Sequence, residues 1–426
     1  MVDDLGSADL GCYGSEHLLT PNIDQLAANG IKLTQAYAGS TVCALSRSTL
    51  MTGLHAGHTQ VRGNTGGIAL PDAAFTMAEF FKQAGYVTGG FGKWGLGEIG
   101  TEGVPEKQGF DQFFGYYHQI HAHDYYPAYL WSSSEKISLP GTPGDAGSYS
   151  AYHIFDKMKN FIRSHQDQSF FCYAPWTLPH GQFVIPESDP AVAKYADKDW
   201  PQDYKNYAAM VSLIDQQVGE TMQLLQELNL EKNTLVLFCS DNGGIPEFVA
   251  YQTNGPLRGG KRDLYEGGIR VPMILSWPDH IPAGSTFEES IYFPDLFPTL
   301  AEAAGLKVQL PNGLDGLSFY KNLLTPGSVL PDRYLYWEYL PYDWSTHEYQ
   351  PQQLQQALRF GQWKAIRLGP EEFWALYDLY TDPTETDIVT LFHPAKMKQF
   401  EKWIKEAHVE PPPQTEPERV DGRAYR

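Results

Sequence analysis

Between Thr41 and Gly53 the chain reads Thr-Val-Cys-Ala-Leu-Ser-Arg-Ser-Thr-Leu-Met-Thr-Gly, which sets the thiol of Cys43 one helical turn ahead of Arg47. A cysteine in a first helical turn sees unpaired backbone N–H groups and the positive end of the helix dipole. Arg47 would point its guanidinium the same way. Two readings stand: an anion site with a nucleophile, or a buried thiol beside a surface arginine. Two further pairs, Asp3-Asp4 and Asp241-Asn242, offer only oxygen donors. That set suits Ca²⁺ or Mg²⁺ rather than a soft metal, and it suits turns and helix caps as well. The candidate cations are Arg47, Lys93, Lys261 and Arg258. The last two lie in the glycine-rich run Leu257-Arg-Gly-Gly-Lys-Arg-Asp-Leu-Tyr-Glu-Gly-Gly-Ile-Arg-Val-Pro272, which can bring backbone and cations close to an anion. His180 stands between Pro179 and Gly181, in a constrained loop that suits a general acid or a hydrogen-bonded structural imidazole.

The elements that must position these groups follow from periodicity and punctuation. Pro21 opens a helix that stops near Asn29-Gly30, Ile31 to Ala38 is strand-like and delivers the chain to Cys43, and Thr76 caps a helix that Gly85 ends. Tyr86 to Phe91 reads as a strand leading to Lys93, Ser169 to Ala174 as one leading to His180, and Thr234 to Ser240 as one ending at Asp241. Helical spacing begins at Tyr152 and again along Tyr207, Met210, Val211, Ile214, Val218, Met222 and Leu225. The apolar run Val271 to Trp277 precedes a helix around Asp295 to Ala304. From Glu98 to about Ser150 no period is evident, so a long excursion over one face is expected.

This alternation predicts an α/β fold, a mainly parallel mixed sheet sandwiched by helices. Ligands in such sheets gather beyond the carboxyl ends of the strands, where Lys93, His180, Asp241 and Asn242 all fall. After Phe319 short strands and one closing helix, His393 to His408, predict a small α+β domain over 321–426, with a loose tail beyond Glu410. Residues 1–320 then form the larger, catalytic domain.

Composition narrows the partners. With 31 basic and 51 acidic residues the net charge is −20, which argues against nucleic acid. A sulfated or phosphorylated substrate would need a local cationic cluster inside this acidic chain. The four cysteines show no metal-knuckle spacing and imply no disulfide framework. No apolar run is long enough to predict a membrane span, and the opening Met-Val-Asp-Asp does not read as a signal peptide.

Asp3-Asp-Leu-Gly, Leu10-Gly-Cys-Tyr-Gly, Thr20-Pro-Asn-Ile-Asp-Gln-Leu-Ala, Cys43-Ala-Leu-Ser-Arg, Gly92-Lys-Trp, Pro179-His, Ser240-Asp-Asn-Gly-Gly and Gly259-Gly-Lys occur in one order over the first 320 residues or so. Together they resemble the formylglycine-dependent sulfatases of the alkaline phosphatase superfamily. Gly361-Gln-Trp-Lys-Ala and Leu376-Tyr-Asp-Leu resemble that family's second domain. The resemblance implies that a maturing, formylglycine-generating enzyme oxidises Cys43 to formylglycine (3-oxoalanine), whose hydrate attacks sulfur. It implies Ca²⁺ held by Asp3, Asp4, Asp241, Asn242 and the residue 43 side chain. Arg47 would then stabilise the alkoxide, Lys93 and Lys261 would bind sulfate oxygens, and His180 would protonate the leaving alcohol. The sulfated residue 43 would expel sulfate and regenerate the aldehyde. A hydrate oxygen suits a hard metal where a thiolate does not.

Three departures from the family pattern stand out. Leu45 occupies the place of a usual proline in the modification motif. Gly95 stands where many members carry a histidine after Lys93, so His121 or His123 is the expected replacement. The family's first strand runs into the Asp-Asp pair, and this chain begins at that pair, so a core strand is expected to be missing. The substrate expected is a sulfated carbohydrate or aryl sulfate, with Lys93, Lys261, His121, His123 and Arg258 as binding residues. The aromatic residues between 110 and 131 suit a sugar ring, or else pack their loop. A phosphoester or phosphonate hydrolase, or an inactive glycan-binding relative, are the alternatives. The family implies a periplasmic or secreted location.

Overall fold

The computed structural model describes residues 1–65, 68–141, 145–325, 327–343, 345–346 and 348–411. The tail expected beyond Glu410 lies, apart from Pro411, outside the described residues. Helix α1 (Pro21–Ala28) leads through β1 (Ile31–Leu33) and β2 (Ala36–Tyr37) to α2 (Cys43–Thr52) and α3 (Met77–Gln83). Strands β3 (Val87–Lys93), β4 (Gln112–Tyr116), β5 (Tyr129–Ser132) and β6 (Glu135–Ser138) follow. Next come α4 (Ser150–Ser164), β7 (Phe170–Tyr173), α5 (Pro190–Ala193), the long α6 (Gln202–Glu227) and β8 (Val236–Cys239). Then α7 (Glu266–Ile269), β9 (Met273–Ser276), β10 (Ser285–Phe287), β11 (Ile291–Tyr292) and α8 (Leu296–Ala303) complete the larger part.

Local chemistry explains these boundaries. The Thr76 hydroxyl accepts the Glu79 N–H while the Glu79 carboxylate accepts the Thr76 N–H, a reciprocal cap that starts α3. Along α6, Tyr207, Met210, Val211, Ile214, Val218 and Leu225 are buried, the stripe that helical spacing predicts. The excursion between Glu98 and Ser150 holds more order than expected. It contains β4 to β6, because Phe113, Phe114, Tyr116, Leu130 and Trp131 bury themselves against the sheet rather than stand free.

Two mixed sheets carry the α/β architecture. One runs β6-β5-β4-β3-β7, parallel at β4-β3-β7 and antiparallel at β6-β5-β4. The other runs β10-β1-β9-β8, with β1 parallel to β10 and antiparallel to β9. Residues 1–3 lie between the two sheets. Val2 donates to the Cys239 carbonyl at 2.9 Å, Asp241 donates to the Val2 carbonyl at 3.0 Å, and Asp3 donates to the Leu178 carbonyl at 2.9 Å. Beside Met1, β7 and β8 flank a cavity of about 630 Å³.

After α9 (Tyr320–Leu323), strand β12 (Tyr334–Tyr339) begins a second unit. It continues with the hairpin β13 (Tyr342–Asp343) and β14 (Glu348–Tyr349), then β15 (Gln355–Phe360), β16 (Trp363–Arg367), β17 (Ala375–Asp378) and α10 (Pro394–Ala407). The antiparallel sheet β12-β15-β16-β17 has two apolar faces. Tyr336, Leu358, Ala365 and Leu376 pack against Met397, Phe400 and Ile404 of α10. Leu335, Trp337, Ala357 and Ile366 face the other way, onto Tyr37, Leu264, Ile269 and Tyr292 of the larger part. Alternate residues of one strand thus serve two cores.

His55 stands at this junction. Its ring stacks on His58 at 4.1 Å and meets Tyr336 edge-on at 5.3 Å, and its Nδ1 accepts the Gly57 N–H at 3.1 Å. Burial, with Asp315 opposing and His58 adding, lowers its pKa from 6.5 to about 4. The folded state therefore favours the neutral ring. That contribution is complete above pH 6.5 and is lost as pH falls through about 4. In urea unfolding across pH, the stability gap between wild type and His55→Gln is expected to narrow between pH 6.5 and 4; a constant gap over that window would overturn this account.

Candidate active site

Helix α2 places the first two residues. All ten of its residues are buried, so Cys43 and Arg47 both lie inside the protein. The Ala44 N–H, in the first turn, donates to Asn64 Oδ1 at 2.9 Å, and Gln119 donates to the same oxygen at 2.7 Å. The Cys43 thiol donates to Asp3 Oδ1 at 3.3 Å. Three cations reach the same carboxylates. Lys93 Nζ lies 2.7 Å from Asp3 Oδ2, and Lys261 Nζ 2.7 Å from Asp4 Oδ2. Arg47 Nη2 lies 2.8 Å from Asp241 Oδ2 and 3.4 Å from Asp3 Oδ2. Arg47 also donates to the Lys93 carbonyl at 2.6 Å. Asn242 Nδ2 donates to Asp4 Oδ1 at 2.8 Å. His180 Nε2 lies 3.1 Å from Lys261 Nζ and 3.4 Å from Asp4 Oδ2, and its ring stacks on His123 at 4.0 Å.

Electrostatics separates the roles. Burial would raise the Asp3 carboxyl, but Lys93, then His180, Arg47 and Lys261 hold it well below the usual range. Burial and the neighbouring Asp3 and Asp4 push Asp241 up to about 6, against the pull of Arg47. Burial, then Asp3, pushes the Cys43 thiol up, so it stays neutral and is not a thiolate nucleophile. Burial and Lys261 lower His180, while burial and the adjacent His180 lower His123. In the neutral His180 ring, Nε2 accepts from the Lys261 ammonium.

A hard cation fits this donor set. Asp3, Asp4 and Asp241 converge, and Asn242 Oδ1 is buried with no hydrogen-bond partner among the described residues. The sulfur of Cys43 is the one soft atom in the group.

Of the residues singled out from sequence, Asp3, Asp4, Cys43, Arg47, Lys93, His123, His180, Asp241, Asn242 and Lys261 come together. Arg258 does not. It donates to the Glu385 carbonyl at 2.5 Å and stacks over Tyr265 at 3.8 Å, so it fastens the loop to the C-terminal unit. His121 packs between Tyr116 and Tyr129 and is buried in the wall behind. The aromatic residues Phe113, Phe114, Tyr116, Tyr117, Tyr125 and Trp131 are buried too, and line no open sugar site. Gly95 has φ +76°, and a Cβ there would lie 2.7 Å from Gln119 Oε1, so a histidine at that position would strain the backbone and displace Gln119. Sequence reasoning missed the Asn64–Gln119 support under α2; neither residue carries a motif.

The sulfatase family model matches residues 1–306, and the model for the N-sulphoglucosamine sulphohydrolase C-terminal region matches residues 259–410. The chain belongs to the sulfatase family. Its relatives include human arylsulfatase A, 35% identical over 76% of this chain and 67% of that protein. The dog N-acetylgalactosamine-6-sulfatase is 31% identical over 79% of this chain and 67% of that protein. Among solved structures, Ps i-CgsB in complex with k-i-k-neocarrahexaose superposes with a TM-score of 0.84 at 28% identity, covering 98% of this chain and 94% of that one. The phosphonate monoester hydrolase of Agrobacterium radiobacter shares the fold, with a TM-score of 0.69 at 20% identity over 95% of this chain and 94% of that one. The sulfatase is thus placed among sulfuric ester hydrolases, whose members typically need a metal ion and formylglycine.

Arg47 is the hinge of the charge arrangement. Arg47→Met is expected to lower the unfolding free energy by about 3–5 kcal/mol, because Asp3 and Asp241 lose a buried counter-charge. Denaturant titration would measure it, and a loss below about 1 kcal/mol, the scale of exposed pairs, would overturn the assignment.

Proposed function

We propose that this sulfatase hydrolyses a sulfate ester on a carbohydrate, with formylglycine formed from Cys43 and Ca²⁺ held by Asp3, Asp4, Asp241, Asn242 and residue 43. The observation that carries this reading is the buried meeting of a neutral Cys43 thiol with oxygen donors on one side and Lys93, Lys261 and Arg47 on the other. A thiol held neutral is a poor nucleophile, and the same position carrying a hydrated aldehyde would present oxygen. Bound there, the metal and the hydrate would supply a Lewis acid and an oxygen nucleophile.

The remaining work falls to the chain's own side chains. Lys93 and Lys261 bind the sulfate oxygens and offset charge as it shifts to the leaving oxygen. Arg47 holds Asp241 and the Lys93 carbonyl, which fixes both in register. His180 hands a proton to the departing alcohol. In the free site it is neutral beside Lys261, and an arriving sulfate offsets the lysine charges and raises its affinity for that proton. His123, stacked on His180, stands in for the imidazole that the family carries after Lys93. The carbohydrate class is supported by the relatives, among them a N-acetylgalactosamine-6-sulfatase and a structure bound to a neocarrahexaose. Leu45 is buried against Val42 and Ala56, so the modification motif carries a core residue where the maturing enzyme must read it.

Mass spectrometry of the Cys43 peptide from the natural host is expected to show formylglycine, and chelation is expected to remove aryl sulfate turnover. An unmodified thiol in a protein without sulfatase activity would sink the proposal. A clear preference for aryl phosphates over aryl sulfates would favour the phosphoester alternative instead. Lys261→Ala is expected to cost about 10²–10³-fold in kcat/KM. His180→Ala should cost far more on a sugar sulfate than on nitrophenyl sulfate, whose phenolate leaves without a proton. Equal losses on both would remove His180 from the acid role.

A further inference from the structure

Helix α2 opens on the reactive position itself, since Cys43 is its first residue. The residue before it, Val42, is extended at φ −142° and has no side-chain oxygen, so it cannot cap the first turn. The missing acceptor comes from twenty residues further along the chain. The Ala44 N–H donates to Asn64 Oδ1 at 2.9 Å, which supplies what an N-cap serine or aspartate supplies in other helices.

That bond fixes the orientation of two side-chain amides. A backbone N–H is always a donor, so the Asn64 atom that meets it is the oxygen. Gln119 must then present its nitrogen to the same oxygen, and it does so at 2.7 Å. Its own Oε1 is buried with no hydrogen-bond partner among the described residues. Turning the Gln119 amide over would set that oxygen against Asn64 Oδ1. One unsatisfied carbonyl is therefore the cost of holding Asn64 in place, and it marks the pair as more than packing.

Gln119 is tied in turn to the strand that carries Lys93. Trp94 donates to the Tyr116 carbonyl and Gly95 to the Tyr117 carbonyl, both at 2.9 Å. These bonds carry the β3–β4 pairing past Lys93 and end two residues before Gln119. Gly95 leaves room for the amide, because a Cβ there would lie 2.7 Å from Oε1. A continuous set of contacts thus joins the end of β3 to the first turn of α2. At its two ends stand Lys93, 2.7 Å from the Asp3 carboxylate, and Cys43, 3.3 Å from the same group.

We propose that Asn64 and Gln119 are positioning residues for the sulfatase reaction. Through the Ala44 N–H they hold the first turn of α2, and with it the side chain of residue 43, in register with Asp3 and Lys93. The proposal rests on residue 43 as the group that reacts, and it adds the pair that aims it.

Two measurements test it, one of them without turnover. In protein whose Cys43 is unconverted, hydrogen exchange at the Ala44 amide reads the bond directly. Asn64→Leu keeps the volume and removes the acceptor. It is expected to speed exchange at Ala44 about tenfold, the scale of one lost hydrogen bond, and to leave Leu50 and Met51 as in wild type. Asn64→Asp keeps the oxygen and is expected to keep the protection. In the formylglycine-bearing protein, kcat and KM for nitrophenyl sulfate are referred to the formylglycine content found by mass spectrometry. Asn64→Leu is expected to lower kcat about 10²-fold with KM within about threefold of wild type, and Asn64→Asp to recover most of the loss. Gln119→Met should lose less, and the double variant no more than Asn64→Leu alone, because both side chains act through one bond. Unchanged exchange at Ala44 in Asn64→Leu would overturn the proposal. So would faster exchange with kcat unchanged, which is the mark of a merely structural cap, or a loss that falls on KM. Mass spectrometry of wild type decides the formylglycine reading separately, and the exchange measurement decides this proposal whichever way that falls.

Discussion

Charge that is buried must be paired, and this requirement organises the protein around Asp3, Asp4 and Asp241. An unpaired ion in such a place costs several kcal/mol even after relaxation. Each of these carboxylates therefore meets a cation from a different part of the chain: Lys93 from the end of β3, Arg47 from α2 and Lys261 from the glycine-rich loop. The constraint works in both directions. Arg47 can lie fully inside only because Asp3 and Asp241 meet it there, and α2 can be wholly interior only because its one charged residue is satisfied.

The same pairing sets the chemistry. Burial, then the Asp3 carboxylate, keeps the Cys43 thiol protonated, whereas a positive helix end alone would favour a thiolate. Burial thus overrules the helix dipole, and the thiol is a poor nucleophile. Lys261 does the opposite for His180. With burial, the Lys261 ammonium beside Nε2 disfavours the charged ring.

Much of this was legible in the residues. Strand ends carry Lys93, Asp241 and Asn242, and the period of the flanking apolar runs located them before any coordinate did. The hard donor set and the cations were readable from side-chain type alone. What was not legible depended on neighbours distant in sequence. Arg258 and Lys261 look equivalent in Leu257-Arg-Gly-Gly-Lys, but one meets Glu385 and the other Asp4, and nothing within the loop distinguishes them. The stretch from Glu98 to Ser150 conceals three strands because its apolar residues are aromatic and irregularly spaced, so neither a period of two nor one of 3.6 emerges. Those rings looked available to a sugar and are instead core, since large aromatic faces gain more from burial than from standing open.

Arg258 is one of the contacts that tie the glycine-rich loop to the second unit. Lys364, fully buried in β16, lies 3.0 Å from Glu266 and 2.8 Å from Glu385. Glu385 in turn accepts the Glu266 N–H at 2.6 Å, at the start of α7. Lys364 holds the Glu266 carboxyl down against burial, while burial and the Glu266 charge hold that of Glu385 up. Lys364 is the cation that both carboxylates share, with Arg270 also 3.6 Å from Glu266. Gly267 donates to the Arg258 carbonyl at 2.8 Å and Gly243 to the Gly268 carbonyl at 3.0 Å, so the clamp reaches through α7 to the loop and to the strand end beside Asn242. The C-terminal sheet is thus tied, through Lys364, Glu385 and α7, to the loop that carries Lys261.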